Sequence, residues 1–347
     1  MKNSLTLISL LTLLSVAATY GLNSCKKDDN PNDLHYVTQE MPSNLPAPLY
    51  RFTDNPLSEE GIALGRRLFY DGRLSLDGNH PCSSCHQQSA AFGTFEHDRS
   101  HGYNGSHTLR NAPPLFNLAW KDKFHWDGEF NSFMAEAAQP INGHIEMAES
   151  FDGVITKLQK DPEYRSMFRK VFRTEFISAS NMMKALAQFT GSLVSADSKY
   201  DRVKKGIDSF SSAESAGYEL FKLHCQGCHP EPMFTDNSYR NTGLPLDDFL
   251  DDRGRVRITG NQADEGKFLV PSLRSVYLTS NYMHDGRFNT LLQCVNHYRT
   301  GVLPGPNVDP LVAGGISLTD EQAINVTLFL RTLSDSAFLH DPRFTKP

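Results

Sequence analysis

The chain has 347 residues, 39% of them hydrophobic and 21% charged, with a formal net charge of −6. That length allows two or three domains and a sizeable core. A weakly acidic chain gives no reason to expect nucleic-acid binding and suits a basic protein partner.

The first element is a targeting segment. Lys2 precedes an apolar run from Leu5 to Ala18, too short for a membrane span. Leu22-Asn23-Ser24-Cys25 comes next, with Lys26-Lys27-Asp28-Asp29 directly after. This resembles a bacterial lipoprotein signal, in which the cysteine becomes the lipidated N-terminus. An ordinary signal peptide with an unrelated cysteine is the alternative. On the first reading residues 1–24 are the signal, and lipid on Cys25 anchors the folded part to a membrane on the periplasmic side of the cell envelope. Residues 25–45, rich in Asp, Asn, Pro and Ser, are expected to form a solvated, flexible tether.

The first helix is predicted around Ile62, Gly65, Leu68 and Phe69, which share one helical face, with Ser58 as N-cap. It leads into Cys82-Ser83-Ser84-Cys85-His86. A second helix, with Ser212 as the expected cap, leads into Cys225-Gln226-Gly227-Cys228-His229. C-x-x-C-H lets two thioethers hold the haem edge while the next histidine reaches the iron. One C-x-x-C could be redox-active or half a zinc site. Two complete motifs in a chain with an export signal predict two covalent c-type haems, with tandem zinc binding as the alternative. Cys294 is left over and is expected to be a buried thiol.

Each half also repeats downstream of its motif. Pro113-Pro114-Leu115 pairs with Pro271-Ser272-Leu273, and Asp127-Gly128-Glu129-Phe130 with Asp285-Gly286-Arg287-Phe288, at one offset (271 − 113 = 285 − 127 = 158). The same offset carries His284 onto Trp126 and Tyr298 onto Pro140. Proline has no side-chain ligand. If Tyr298 lies over the second haem, the first has an open position, suited to peroxide, unless another segment closes it.

Splitting peroxide needs a base that moves a proton between its oxygens. Glu146 lies six residues after Pro140; beside a buried haem its pKa would rise, whereas a plain surface glutamate is the competing reading. Glu136, four before Pro140, is expected on the same helical face and is a second candidate. Trp126 is either core or an electron relay between haems. His97, His101 and His107 sit in a polar, Gly-containing loop; His101 is either solvated or a removable cap on the first iron.

The stretches LGRRLFYDGRLS, PCSSCH, LRNAPPLFN, HWDG, QPINGHIEM, FLVPSLRSVYLTSNYMHDGRF and LTDEQAINVTLFLRTL resemble the bacterial di-haem cytochrome c peroxidases and their MauG-type relatives, from about Leu57 to Leu333. The resemblance implies His86 and His229 as proximal ligands, Glu146 as the acid–base group and Trp126 as the inter-haem tryptophan. It implies one calcium ion, with Asn111 giving a side-chain ligand and Thr279 and Asn281 backbone oxygens. His101 matches the region of the displaceable histidine. Two departures stand out: Glu136 occupies a position where many members have glutamine, and Tyr298 stands where the peroxidases with a methionine ligand have it, as in MauG. Tyr298 is therefore the expected second-haem ligand, with His297 and Met283 as alternatives.

The expected architecture is all-α, with two cytochrome c-like domains packed together, residues 46–205 and 206–347. A helix carrying Met182, Leu186, Phe189 and Leu193 precedes the boundary, and Thr319-x-x-Gln322 opens the last helix as a capping box. The expected function is reduction of hydrogen peroxide with electrons from a small donor protein, a cytochrome c or a cupredoxin; a homodimer is compatible with it. A MauG-like oxidation of a partner's side chain and a plain di-haem electron carrier are the alternatives.

Overall fold

The computed structural model describes residues 33–347, so the targeting segment, Cys25 and the first part of the tether lie outside the described residues. Two helix pairs organise the described chain. In the first, Glu59–Phe69 packs on Ala179–Gly191; in the second, Ser212–His224 packs on Asp320–Arg331. Each helix starts where a side chain can accept from its orphan N–H groups. Ser58, Ser178 and Thr319 do so, and Thr319 with Gln322 closes the predicted capping box. The second haem-motif helix is capped one residue earlier than expected, by Ser211, because Glu214 at the third helical position returns the bond.

Glycine sets how closely each pair approaches. A Cβ on Gly65 would stand 2.0 Å from the Ala185 carbonyl oxygen, and one on Gly217 would stand 1.9 Å from that of Asn325. Phenylalanine then fills the crossing twice over. Phe69, Phe92 and Phe189 have centroid separations of 5.2–6.2 Å; Phe221, Phe234 and Phe329 repeat the arrangement at 5.0–6.4 Å. The rings are tilted or edge-on, as their quadrupoles favour.

Two apolar cores grow from these triads. One gathers residues from Phe52 to Leu193 and receives Phe338 and Phe344 from the C-terminus; the other runs from Tyr200 to Leu333. Residues 35–347 nevertheless form one compact unit. Among the described residues, strand is confined to Tyr239–Arg240 paired antiparallel with Phe268–Leu269.

The expected tether ends earlier than composition suggested. From His35 the chain is docked: Val37 donates to the Leu57 carbonyl, His35 pairs with Glu60, and Leu45 is buried against Trp120. Polar composition alone did not register that these backbone groups find partners.

The internal repeat is written into the backbone. Asn117 and Ser275 both take positive φ (54° and 53°), as do His125 and Met283 (65° and 72°) and Gly128 and Gly286 (72° and 74°). The bridges Phe124–Phe130 and Tyr282–Phe288 coincide at the same 158-residue offset (282 − 124 = 288 − 130 = 158).

Candidate functional site: two cavities joined at a tryptophan

Cys82, Cys85 and His86 face a cavity of about 370 Å³, and Cys225, Cys228 and His229 face one of about 190 Å³. The helix pairs contribute to the cavity walls: Phe69 and Leu186 line the first, and Phe221 and Leu330 the second. In each, a left-handed phenylalanine orients the histidine. The Phe92 carbonyl lies 3.0 Å from His86 Nδ1, and the Phe234 carbonyl 3.0 Å from His229 Nδ1. Nδ1–H therefore donates, which leaves Nε2 as the free lone pair. Burial pushes His86 down to about 4 and lowers His229 as well, which favours the neutral ring that a metal ligand requires.

Phe92 and Phe234 have φ of 59° and 56°, a conformation that costs a bulky residue and is found where the surroundings enforce it. Sequence reasoning missed them; the only signal is a phenylalanine five or six residues after each motif histidine. Two thiols and one neutral imidazole on each cavity are the donor set a c-type haem needs.

The first cavity also receives Glu146, Glu136, Pro140, His101 and Trp126. Burial and the nearby Glu129 raise the Glu146 carboxyl, while the amide of Gln139, 3.3 Å away, opposes them. Glu136 was expected on a helix but lies in the turn before Ala138–Asn142; it still reaches the cavity, because the turn brings it round beside Pro140. His101 is exposed, with its ring 4.4 Å from those of both His97 and His107. Its loop is held against the Glu146 segment by Tyr103 N–H donating to the Glu146 carbonyl at 2.7 Å. Gly102 permits that approach, since a Cβ there would stand 2.0 Å from the Ile145 oxygen.

The second cavity contains Tyr298, from the π-helical segment His297–Gly301, together with Met283. Burial, then the Cys294, Cys225 and Cys228 thiols, raise the Tyr298 phenol. His297 is turned away: its Nε2 meets the Thr242 carbonyl at 2.9 Å and it does not line the cavity. Cys294 is half-buried in this wall.

Trp126 lines both cavities. Its indole N–H donates to the Asn111 carbonyl at 2.8 Å, and the Asn111 N–H donates to the His284 carbonyl at 2.7 Å. Alongside runs a buried ionic cluster, in which Arg110 bonds Asp127 at 2.7 Å and Asp252 at 2.6 Å. Asn111 and Asn281 both reach the 95–98 strip, donating to the Asp98 and Phe95 carbonyls, while Thr279 packs on Gly93. Among the described residues no group of three or more His, Cys, Asp or Glu is placed to hold a metal ion.

The family model described as di-haem cytochrome c peroxidase matches residues 59–209. The chain is 34% identical over 325 residues to the methylamine utilization protein MauG of Methylorubrum extorquens, covering 92% of this chain and 90% of that one. It is 35% identical over 244 residues to the cytochrome c551 peroxidase of Nitrosomonas europaea, covering 69% and 73%. Among solved structures, a MauG-like protein associated with microbial copper homeostasis is similar at a TM-score of 0.82 and 32% identity, over 90% of this chain and 99% of that one. The diheme peroxidase BthA from Burkholderia thailandensis shares the fold at a TM-score of 0.70 and 20% identity, over 90% and 95%. With two cysteine–histidine cavities and relatives matched along nearly its whole length, the chain belongs to the di-haem cytochrome c peroxidase family.

Proposed function

We propose that the protein reduces hydrogen peroxide to water in the first cavity, with electrons received one at a time from a small donor protein through the second. The observation that carries this reading is the asymmetry of the two cavities. Pro140 and two carboxylates line the first cavity with His86, whereas Tyr298, the repeat counterpart of Pro140, lines the second with His229. Haem c, bound at each histidine, would supply the redox chemistry of both cavities. His86 and His229 would ligate the irons, and Cys82, Cys85, Cys225 and Cys228 would form the thioethers. Glu146, kept protonatable by burial, accepts a proton from one peroxide oxygen and returns it to the other. Trp126 relays electrons between the cavities it touches.

Tyr298 would be the second ligand of the second haem, a reading supported by its place in that cavity and by the turning-away of His297. One calcium ion, bound by Asn111 and the backbone of Thr279 and Asn281, braces the segments that meet on the 95–98 strip. The two cores are the bodies of two haem domains. Export to the periplasm and a lipid anchor at Cys25 complete the reading.

A second reading, oxidation of a side chain on a partner protein, is favoured by Tyr298 and by the extent of the match to MauG. Rapid mixing of the fully oxidised holoprotein with hydrogen peroxide tests the proposal. A fast, roughly stoichiometric change at the haem bands supports an open first iron and Tyr298 on the second. A change only after one haem is reduced means that His101 caps the first iron. No reaction even then would leave an electron carrier. Turnover with a reduced cytochrome c or cupredoxin separates peroxidase from protein oxidation.

A further inference from the structure

Peroxide reduction breaks one O–O bond and consumes two electrons and two protons to give two waters. The Glu146 step returns to one oxygen the proton it took from the other, so it supplies none of the two net protons. A separate donor has to face the same cavity. It should be buried, free of a fixed partner, and able to carry a proton at neutral pH.

Glu136 meets these requirements. It lines the first cavity together with His86 and Glu146, yet only 9% of its surface is exposed. Its carboxylate has no hydrogen-bond or ion-pair partner among the described residues, whereas Glu146 is tied to Gln139. The position is fixed from behind, because the ring of His125 meets the Glu136 backbone carbonyl at 3.3 Å. Burial raises the carboxyl to about 7, and Lys121 opposes that rise. The Lys121 amine is itself pushed down to about 8 by burial, with Glu136 as the charge opposing the shift. Each group senses the other's charge, and Lys121 is only partly buried, so it reaches towards solvent while Glu136 faces the cavity. The other charge that feels Glu136 is the Cys82 thiol, which a thioether bond removes. Glu129 acts on Glu146 and pairs with His125 at 3.6 Å; it does not act on Glu136.

We propose that Glu136 delivers the net protons of peroxide reduction to the first cavity and is reprotonated through Lys121. The proposal rests on the peroxidase reading. Each cycle takes two protons from solvent through Lys121 and Glu136, and two electrons from the one-electron donor protein, into the two waters released.

The test compares wild-type holoprotein with Glu136→Gln, Glu136→Asp and Lys121→Met. Two quantities are read between about pH 5 and 9, around the proton affinities of the pair: steady-state kcat with peroxide, and the absorption spectrum of the resting oxidised protein. In the wild type, kcat is expected to fall as pH rises through about 7, where the donor loses its proton, with a spectral titration at the same midpoint. Glu136→Gln should lose both the limb and the titration, and about tenfold or more of kcat at about pH 6, while the initial peroxide-dependent absorbance change stays within about twofold. Glu136→Asp should restore the limb. Lys121→Met should move the spectral midpoint upward, since a cation no longer favours the carboxylate.

A Glu136→Gln protein that keeps wild-type turnover and spectral titration would overturn the proton role alone. A wild type that never reacts with peroxide would overturn the peroxidase reading and this role with it.

Discussion

At the scale of single residues, the cavity chemistry is set by which side chains lose water without gaining a partner. Glu146 was legible from its spacing after Pro140. Its carboxyl accepts from the Gln139 amide, and the proposed reading gives it the proton transfer within peroxide. Glu146→Gln is expected to lower the rate of the first peroxide-dependent absorbance change by about 10²–10⁴-fold, as for removal of a general acid–base group. Stopped-flow traces at saturating peroxide would check this, and a change below about tenfold would move the role elsewhere.

Glu136 makes a second prediction, about stability. Its folded pKa, about 7, lies above the ordinary 4.5. Between those values the folded state binds the proton and the unfolded state does not, so stability falls as pH rises and the loss is complete above about 7. Glu136→Gln should therefore raise holoprotein stability by about 1–3 kcal/mol at about pH 8 and leave it nearly unchanged at about pH 5. Paired thermal melts at the two pH values would show it, and equal shifts at both would refute it. The identity of Glu136 could be read in the sequence, but its isolation could not, because that depends on Lys121, fifteen residues away, forming no contact ion pair with it.

At the scale of elements, the repeat carried most of the legible information. The 158-residue offset in the sequence reappears as matched left-handed residues and matched bridges. What it did not reveal was the pair Phe92 and Phe234. A positive φ at phenylalanine is imposed by the ring triads and by the histidine that needs its carbonyl, and propensity argues against it.

The helix crossings were half-visible, in that Gly65 lay on the predicted face of the first helix but the backbone it meets could not be read. Since the contact on each glycine is backbone oxygen, neither crossing can yield to a larger side chain. Gly65→Val and Gly217→Val should each destabilise the protein by about 3 kcal/mol or more, the upper range of overpacking. Gly65→Val should disturb the first haem's spectrum and Gly217→Val the second's. Denaturant melts with near-wild-type midpoints would show that the helices have room to separate.

At the scale of the whole molecule, the question is how two cavities built on one plan share a reaction. The plan alone does not connect them. Trp126 and His284 are equivalent by the repeat, yet only Trp126 reaches both cavities, and His284 stacks on Phe268 instead, with centroids 3.7 Å apart. The link is therefore polar and directional, running from the Trp126 indole N–H to the Asn111 carbonyl and from the Asn111 N–H to the His284 carbonyl. Removing the ring while keeping the other lining residues of each cavity should uncouple them. In Trp126→Leu the peroxide-dependent change assigned to the first cavity should persist within about threefold, because Glu146 and His86 are untouched. The accompanying change at the second haem should slow by at least about tenfold, since the path loses the one side chain that both cavities share among the described residues. Rapid mixing followed at two wavelengths, one dominated by each haem, would separate the phases. If both kept wild-type rates, electrons would be crossing elsewhere, with the Phe268–His284 stack and the Arg110 cluster beside it the next route to cut.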